Sequence, residues 1–204
     1  MGFDVDTYNN LPLVNVADAR FKEQLASANL TREQLFYDLA PLFLQSPHTG
    51  RYAVSLIHRH YLLKEGERMV TTGNSTKPST DTSPNIVPDI WFSNGQELEH
   101  RFTEDPTSLH PPPPVDFLAK FKSILASYAI DVLGVCYAPD KLADGYIVVE
   151  SQGLADRERV TRTIHHSAKK DQSYDVMWLV MRNPDGPSLV DRACGACDTP
   201  ECYA

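Results

Sequence analysis

Three of the four cysteines in this chain, Cys194, Cys197 and Cys202, fall within nine residues near the end of its sequence. Two thiolates at a C-x-x-C spacing grip one soft cation from a single tight turn, and Zn²⁺ is the usual occupant. This spacing constrains the fold, because a tail that shares a metal must return to the body of the protein, where further ligands wait. His58 and His60 offer imidazole nitrogens for that purpose. A thioredoxin-like redox pair would need to open a helix after a strand, and the Gly-, Asp- and Pro-rich tail does not supply one. A loose tail carrying reduced thiols, or a disulfide, is the alternative use of the same residues.

The histidines lie in a stretch of period two. In residues 52–62, Tyr52, Val54, Leu56, His58, His60 and Leu62 share one strand face, while Arg59 points away. Residues two apart on a strand stand about 6–7 Å apart at Cα, which suits two ligands of one ion. Taken alone, the pair reads rather as one buried histidine satisfied by backbone and one partly exposed; beside a cysteine-rich segment that needs further ligands, the two readings weigh evenly. Glu65-Gly66-Glu67 reads as a turn, with residues 68–72 returning as a strand.

Around this segment the periodicity is mixed. Residues 16–30 read as a helix, and Thr31-Arg32-Glu33-Gln34 is a capping box that starts a second, with Leu35, Phe36, Leu39, Leu42 and Phe43 as its apolar stripe. Residues 73–87 are polar and read as a long loop. Residues 90–102 read as a hairpin around Ser93-Asn94-Gly95. Pro111 to Pro114 forms a rigid connector into a helix over 115–130. Residues 132–137, 146–150, 159–165 and 174–182 read as consecutive strands, antiparallel because their connections are short. The expectation is a single zinc-binding α+β domain over residues 1–204, with a packed N-terminal helix pair, one central helix and a mainly antiparallel sheet.

A net charge of -8 over 204 residues disfavours nucleic acid as a partner. The short basic clusters, Arg157/Arg159/Arg162 and Lys169-Lys170, read as solvated faces. No stretch approaches the ~20 apolar residues of a membrane span. The first residues carry neither a signal-peptide pattern nor the Ser or Thr of a myristoylation site, since Asp6 stands there, and Cys202 is one position off a prenylation box. A cytoplasmic protein acting on a small molecule is expected, and in that compartment clustered cysteines favour metal over disulfide.

Cys136 lies in the apolar run Val132-Leu133-Gly134-Val135-Cys136-Tyr137, either as a core residue or at the sheet rim within reach of a site. Glu65, Glu67, Glu150, His165 and His166 are the other polar candidates. The set taken forward is His58, Cys136, Cys194 and Cys197 as zinc ligands, with His60 and Glu65 as acid–base groups. Four protein ligands close the tetrahedron and make zinc structural, whereas three leave a position for water or substrate.

The segment Leu56-Ile57-His58-Arg59-His60-Tyr61, followed by Gly66-Glu67, resembles the "Leu-Leu-His-Arg-His-Phe" segment of small fungal proteins. Chain length, the Gly134-Val135-Cys136 strand and the cysteine-bearing tail also resemble the small zinc-dependent, hemocyanin-like cyclopenases of fungal quinolone-alkaloid pathways. The resemblance covers about a quarter of the chain, and Tyr61 replaces its Phe. It implies a lyase-type ring contraction, in which a cyclopenin-type benzodiazepinedione epoxide yields a viridicatin-type quinolone and methyl isocyanate. Zinc would polarise an amide or epoxide oxygen and His60 or Glu65 would move the proton. Tyr61, Trp91, Phe92 and Tyr137 would hold the aryl groups. The other reading is a non-catalytic domain with structural zinc that serves as an interaction module.

Overall fold

The computed structural model describes residues 2–139, 142–182 and 189–198, with the backbone alone at 108, 182, 189–192 and 194. Three short helices come first: α1 (Val5–Asn9), α2 (Val14–Ser27) and α3 (Arg32–Phe43). Strands β1 (Tyr52–Leu56), β2 (Arg68–Thr72), β3 (Ser75–Ser79), β4 (Ile86–Phe92) and β5 (Glu97–Phe102) follow. After α4 (Val115–Ser127) come β6 (Leu133–Tyr137), β7 (Tyr146–Gln152), β8 (Arg159–His165), β9 (Tyr174–Arg182) and β10 (Leu189–Cys197).

The ten strands close into one barrel in the order β1-β6-β4-β5-β2-β3-β8-β7-β10-β9, with β9 returning to β1 through Val54↔Trp178 and Ser55↔Met177. This corrects the expected α+β domain built on a helix pair, a central helix and an antiparallel sheet. The helices are four short elements on a closed, mostly antiparallel barrel, and two of the pairings, β2–β5 and β7–β10, are parallel. Closure depends on pairings between distant strands, which the period of any one strand does not encode. The expected helix pair is also replaced: α3 packs on α4, β9 and β10, while α2 packs on β1 and β9. Among the described residues no helix is long and apolar enough to cross a membrane.

Local signals explain most of the elements. Thr31 Oγ1 accepts from Gln34 N at 3.2 Å and the Gln34 side chain accepts from Thr31 N at 2.7 Å, the reciprocal cap that starts α3. β1 and β6 are buried along their whole length because both faces are covered. Tyr52, Val54, Leu56, Leu133 and Val135 join the large cluster under the helices with Phe36, Phe43, Phe121 and Trp178. Ala53 and Cys136 face the barrel interior with Ile90, Met177 and Leu179. Part of the segment 73–87, expected as loop, is β3. It is polar and contains Pro78, yet it bridges β2 to β8 and completes the ring through only Ser75↔Val160 and Thr76↔Arg159.

Candidate metal centre

β1 stops at Leu56, so the histidines do not stand on a continuing strand face. They lie in the connection after it, which α1 and the chain following α1 hold in place. Arg59 N donates to Pro12 O at 2.9 Å and Arg59 Nε to Leu11 O at 3.0 Å. Asn9 closes a two-way pair with the Leu63 backbone, and His60 N donates to the hydroxyl of fully buried Tyr8 at 3.4 Å. The two rings meet edge to face, with centroids 4.6 Å apart.

Opposite this loop stand Glu150, on β7, and Cys197, at the end of β10. The parallel register of the two strands places Cys197 beside Glu150, and Asp198 N donates to Glu150 O at 2.9 Å. Asp198 anchors this end of the strand. Its carboxylate accepts from Ser173 Oγ at 2.7 Å and lies 3.1 Å from Lys170 Nζ. One donor atom each from His58, His60, Glu150 and Cys197 falls within 4.8 Å of the others, a group that could hold a metal ion.

The donors are prepared in ways that fit such an ion. His58 Nδ1 faces the Leu56 carbonyl at 2.8 Å, which puts the ring proton on Nδ1 and leaves the Nε2 lone pair available. That Nε2 is buried and has no hydrogen-bond partner. Burial pulls the His58 pKa down, but Cys197, the Glu150 carboxylate and the Leu56 carbonyl outweigh it and hold the pKa above the usual histidine value. His60 is pushed well below that value by burial, by the Arg159 guanidinium and by His58, so its ring is neutral.

Arg159 is the buried cation of the cluster. Its Nη2 donates to Glu99 Oε2 at 2.9 Å and Thr76 Oγ1 at 3.3 Å, while Nη1 reaches Glu150 Oε2 at 3.4 Å and hydrogen-bonds His60 Nε2. Burial opposes its charge, but Glu150 and Glu99 keep it protonated. One guanidinium facing two carboxylates leaves one negative charge to balance. A proton on His58 balances it, and so does a dication bound together with a Cys197 thiolate.

A small cavity borders the cluster, lined by His58, His60, Glu99, Glu150 and Arg159 together with apolar groups from β1, β4 and β9. Its volume of about 20 Å³ suits an ion or a water, not a bicyclic organic molecule. A larger recess of about 670 Å³ lies between α2, α3 and β9 and shares no lining residue with it.

Of the residues taken forward from the sequence, His58, His60 and Cys197 come together, and Glu150 joins them from the wider candidate set. Cys136 does not. Its thiol donates to Ala53 O at 3.7 Å inside the apolar barrel cluster, as a small core residue would. Glu65 is exposed in its turn. Cys194 lies on β10 rather than in a tight turn, but its side chain, like all of Cys202, lies outside the described residues. Tyr61, Trp91, Phe92 and Tyr137 do not line the cavity. Tyr61 Oη instead donates to Glu158 O at 2.6 Å, and Tyr137 stacks on Tyr52.

Sequence reasoning missed Glu99, Thr76 and Tyr8, and it placed Arg159 on a solvated face although only 6% of that residue is exposed. The available signal was charge inside strand-like segments: Glu99 beside Leu98, Glu150 after Val149, and Arg159 before Val160.

Compared with protein-family models, with curated proteins and with solved structures, the chain matches none.

Proposed function

We propose that this protein is a zinc-stabilised, non-catalytic module in which one Zn²⁺ on His58, His60, Glu150 and Cys197 ties the histidine loop to β7 and β10. The observation that carries this reading is the buried, unpartnered Nε2 of His58, presented in the ligating tautomer to a glutamate and a cysteine from other strands. A donor set of two imidazoles, one thiolate and one carboxylate suits Zn²⁺ and disfavours Mg²⁺ and Ca²⁺, which take oxygen ligands. Four side chains complete a tetrahedron, and the small cavity leaves little room for a substrate, so the ion's work here is structural. Metal analysis of the purified, dialysed protein tests this: one equivalent of zinc is expected, and a content far below one equivalent would sink the proposal.

A second reading is favoured by one contact. While Arg159 holds His60, three side chains remain to take an ion, His58, Cys197 and Glu150, the last through the oxygen that Arg159 does not touch, and three is the count found in catalytic zinc sites. Zinc there would supply Lewis acidity for lyase chemistry of the kind the cyclopenase resemblance implies, provided the loop opens to admit substrate. Incubation with cyclopenin, with and without chelator, separates the two readings, and an unchanged substrate would end this one.

A further inference from the structure

Arg159 already places positive charge where a bound cation would belong. Its Nη1 touches two of the four residues of the group, His60 at Nε2 by a hydrogen bond and Glu150 at Oε2 at 3.4 Å. A guanidinium does not give up its protons, so the His60 Nε2 lone pair stays engaged while that contact lasts. On the other side of the same group, Nη2 holds Glu99 Oε2 at 2.9 Å, and Nε is buried without a partner. Glu99 Oε1 stands 3.9 Å from His60 Nε2. The guanidinium is therefore shared between two sets of acceptors, with its Nε unused.

We propose that Arg159 is an internal competitor for the metal, a gate that holds His60 and Glu150 and yields them only to an ion that binds strongly enough to displace it. This rests on the metal reading of the cluster. On entry, the ion first meets His58, Cys197 and the Glu150 oxygen that Arg159 does not touch. Arg159 then withdraws Nη1 and turns fully onto Glu99. There Nε and Nη2 take the two carboxylate oxygens side by side, the preferred geometry of an arginine–carboxylate pair. The turn satisfies the buried Nε and separates the charges into two balanced groups: Arg159 with Glu99, and the dication with the Glu150 carboxylate and the Cys197 thiolate. His60 becomes the last ligand. The gate also sets selectivity. Ions with high affinity for imidazole and thiolate, such as Zn²⁺ or Co²⁺, can displace a guanidinium that Mg²⁺ or Ca²⁺ cannot.

The test is titration with Co²⁺, whose thiolate charge-transfer and d–d bands report ligation, on the full chain and on Arg159→Gln and Arg159→Lys. Removing a positive charge from near-contact range of a dication is expected to tighten Co²⁺ binding by about tenfold or more in Arg159→Gln. Arg159→Lys, which keeps the charge, is expected to show no such gain. Equal or weaker binding by Arg159→Gln, with its cobalt bands intact, overturns the gate. Because Gln removes the partner of two buried carboxylates and risks unfolding the chain, a second measurement uses the unaltered protein. Nitrogen-15 NMR before and after one equivalent of Zn²⁺ is expected to show the His60 ring and the Arg159 Nε–H changing together. Bound zinc with both signals unmoved overturns the gate and leaves the metal site standing. Failure of every form to bind Co²⁺ or Zn²⁺ overturns both.

Discussion

Gly134 sits against Ile57, the residue before His58, and replacing it with alanine tests the fold and the candidate site together. It pairs with Ser55 on β1 and with Phe92 on β4. An added Cβ would lie 2.4 Å from Trp91 O and 2.5 Å from Ile57 Cδ1, whereas ordinary contact begins at 3.4 Å. The Ile57 side chain can rotate, but the Trp91 carbonyl belongs to the backbone of β4. Relief therefore requires β4 and β6 to part by roughly 1 Å against their ladder. Overpacking of this kind costs about 1–3 kcal/mol, and the upper end applies where the obstacle is backbone. In a chain of this length each kcal/mol lowers Tm by about 2–4 °C, so a fall of about 6–12 °C is expected. Ile57 precedes His58, so the shift is transmitted to the first ligand and zinc affinity falls as well. Thermal melts followed by circular dichroism, with and without added Zn²⁺, measure both effects. A Tm within about 2 °C of the parent would refute the packing argument, since a wall that tolerates the methyl is not in the contact described here.

Chelation is expected to lower Tm. Zinc present at about a thousand times its Kd contributes about 4 kcal/mol, hence about 8–16 °C, and an unchanged melt in excess chelator would contradict a resident structural ion. Cys197→Ser is expected to weaken Zn²⁺ binding by at least about 100-fold, given that even outer-sphere partners account for 10–100-fold. Cys136→Ser, altering a thiol that already donates to Ala53 O, is expected to leave zinc stoichiometry unchanged; chelator competition reads both. Stability is expected to fall on acidification through His100, which burial and the nearby Arg68 charge hold down at about 4 against 6.5 for an ordinary histidine. Because the folded pKa is depressed, the unfolded chain binds the extra proton first. The loss therefore begins as pH drops through about 6.5 and levels off near 4, reaching about 3 kcal/mol. Denaturant titrations of the parent and His100→Gln at pH 7 and 4.5 check it, and an equal acid loss in the variant would discard the assignment to His100.

What the sequence discloses here follows the range of its signals. The capping box at Thr31, the apolar stripe of α3 and the hairpin between β4 and β5 are local, and each is legible from a few consecutive residues. The strands β6 to β9 are legible too, because their β-branched and aromatic residues are contiguous. Closure is not. It rests on β3, whose Ser-Thr-Lys-Pro-Ser sequence carries no apolar alternation, and on the parallel pairings β2–β5 and β7–β10, which join segments far apart in the chain. The site divides in the same way. His58, His60 and Cys197 are visible by residue type, and reading 52–62 as one strand put the histidines on one face, whereas a loop docked on α1 delivers them. Arg159 and Glu99 carry only a weak signal, a charge inside a strand-like segment, since such residues usually face water and these two are buried only because the ring closes over them.

The geometry also explains why a metal would be placed at this point of the barrel. Cys197 ends the last described strand, and β10 reaches its register only after two irregularities, between Ala193 and Gly195 and between Gly195 and Ala196. At Gly195 a Cβ would meet Met177 Cβ at 2.8 Å, so the missing side chain lets β10 settle onto β9 there. Irregularities of this kind re-aim the residues that follow, here toward Glu150. Among the described residues β10 is held to β7 on its outer side by three parallel pairs alone, Gly195↔Val148, Ala196↔Val149 and Cys197↔Glu150, and on its other side it is kinked against β9. An ion joining Cys197 to His58 cross-links that strand to the loop after β1. Closing a loop of about 140 residues contributes, in the chain-entropy account of cross-links, about 5 kcal/mol. This is the scale on which a single zinc would decide whether β10 stays in the barrel. On this account, loss of the ion should free β10 first, with faster amide hydrogen exchange along residues 193–198 than along β1 or β6. Uniform acceleration across all strands would instead mean that the ion supports the whole barrel and has no special hold on its last strand.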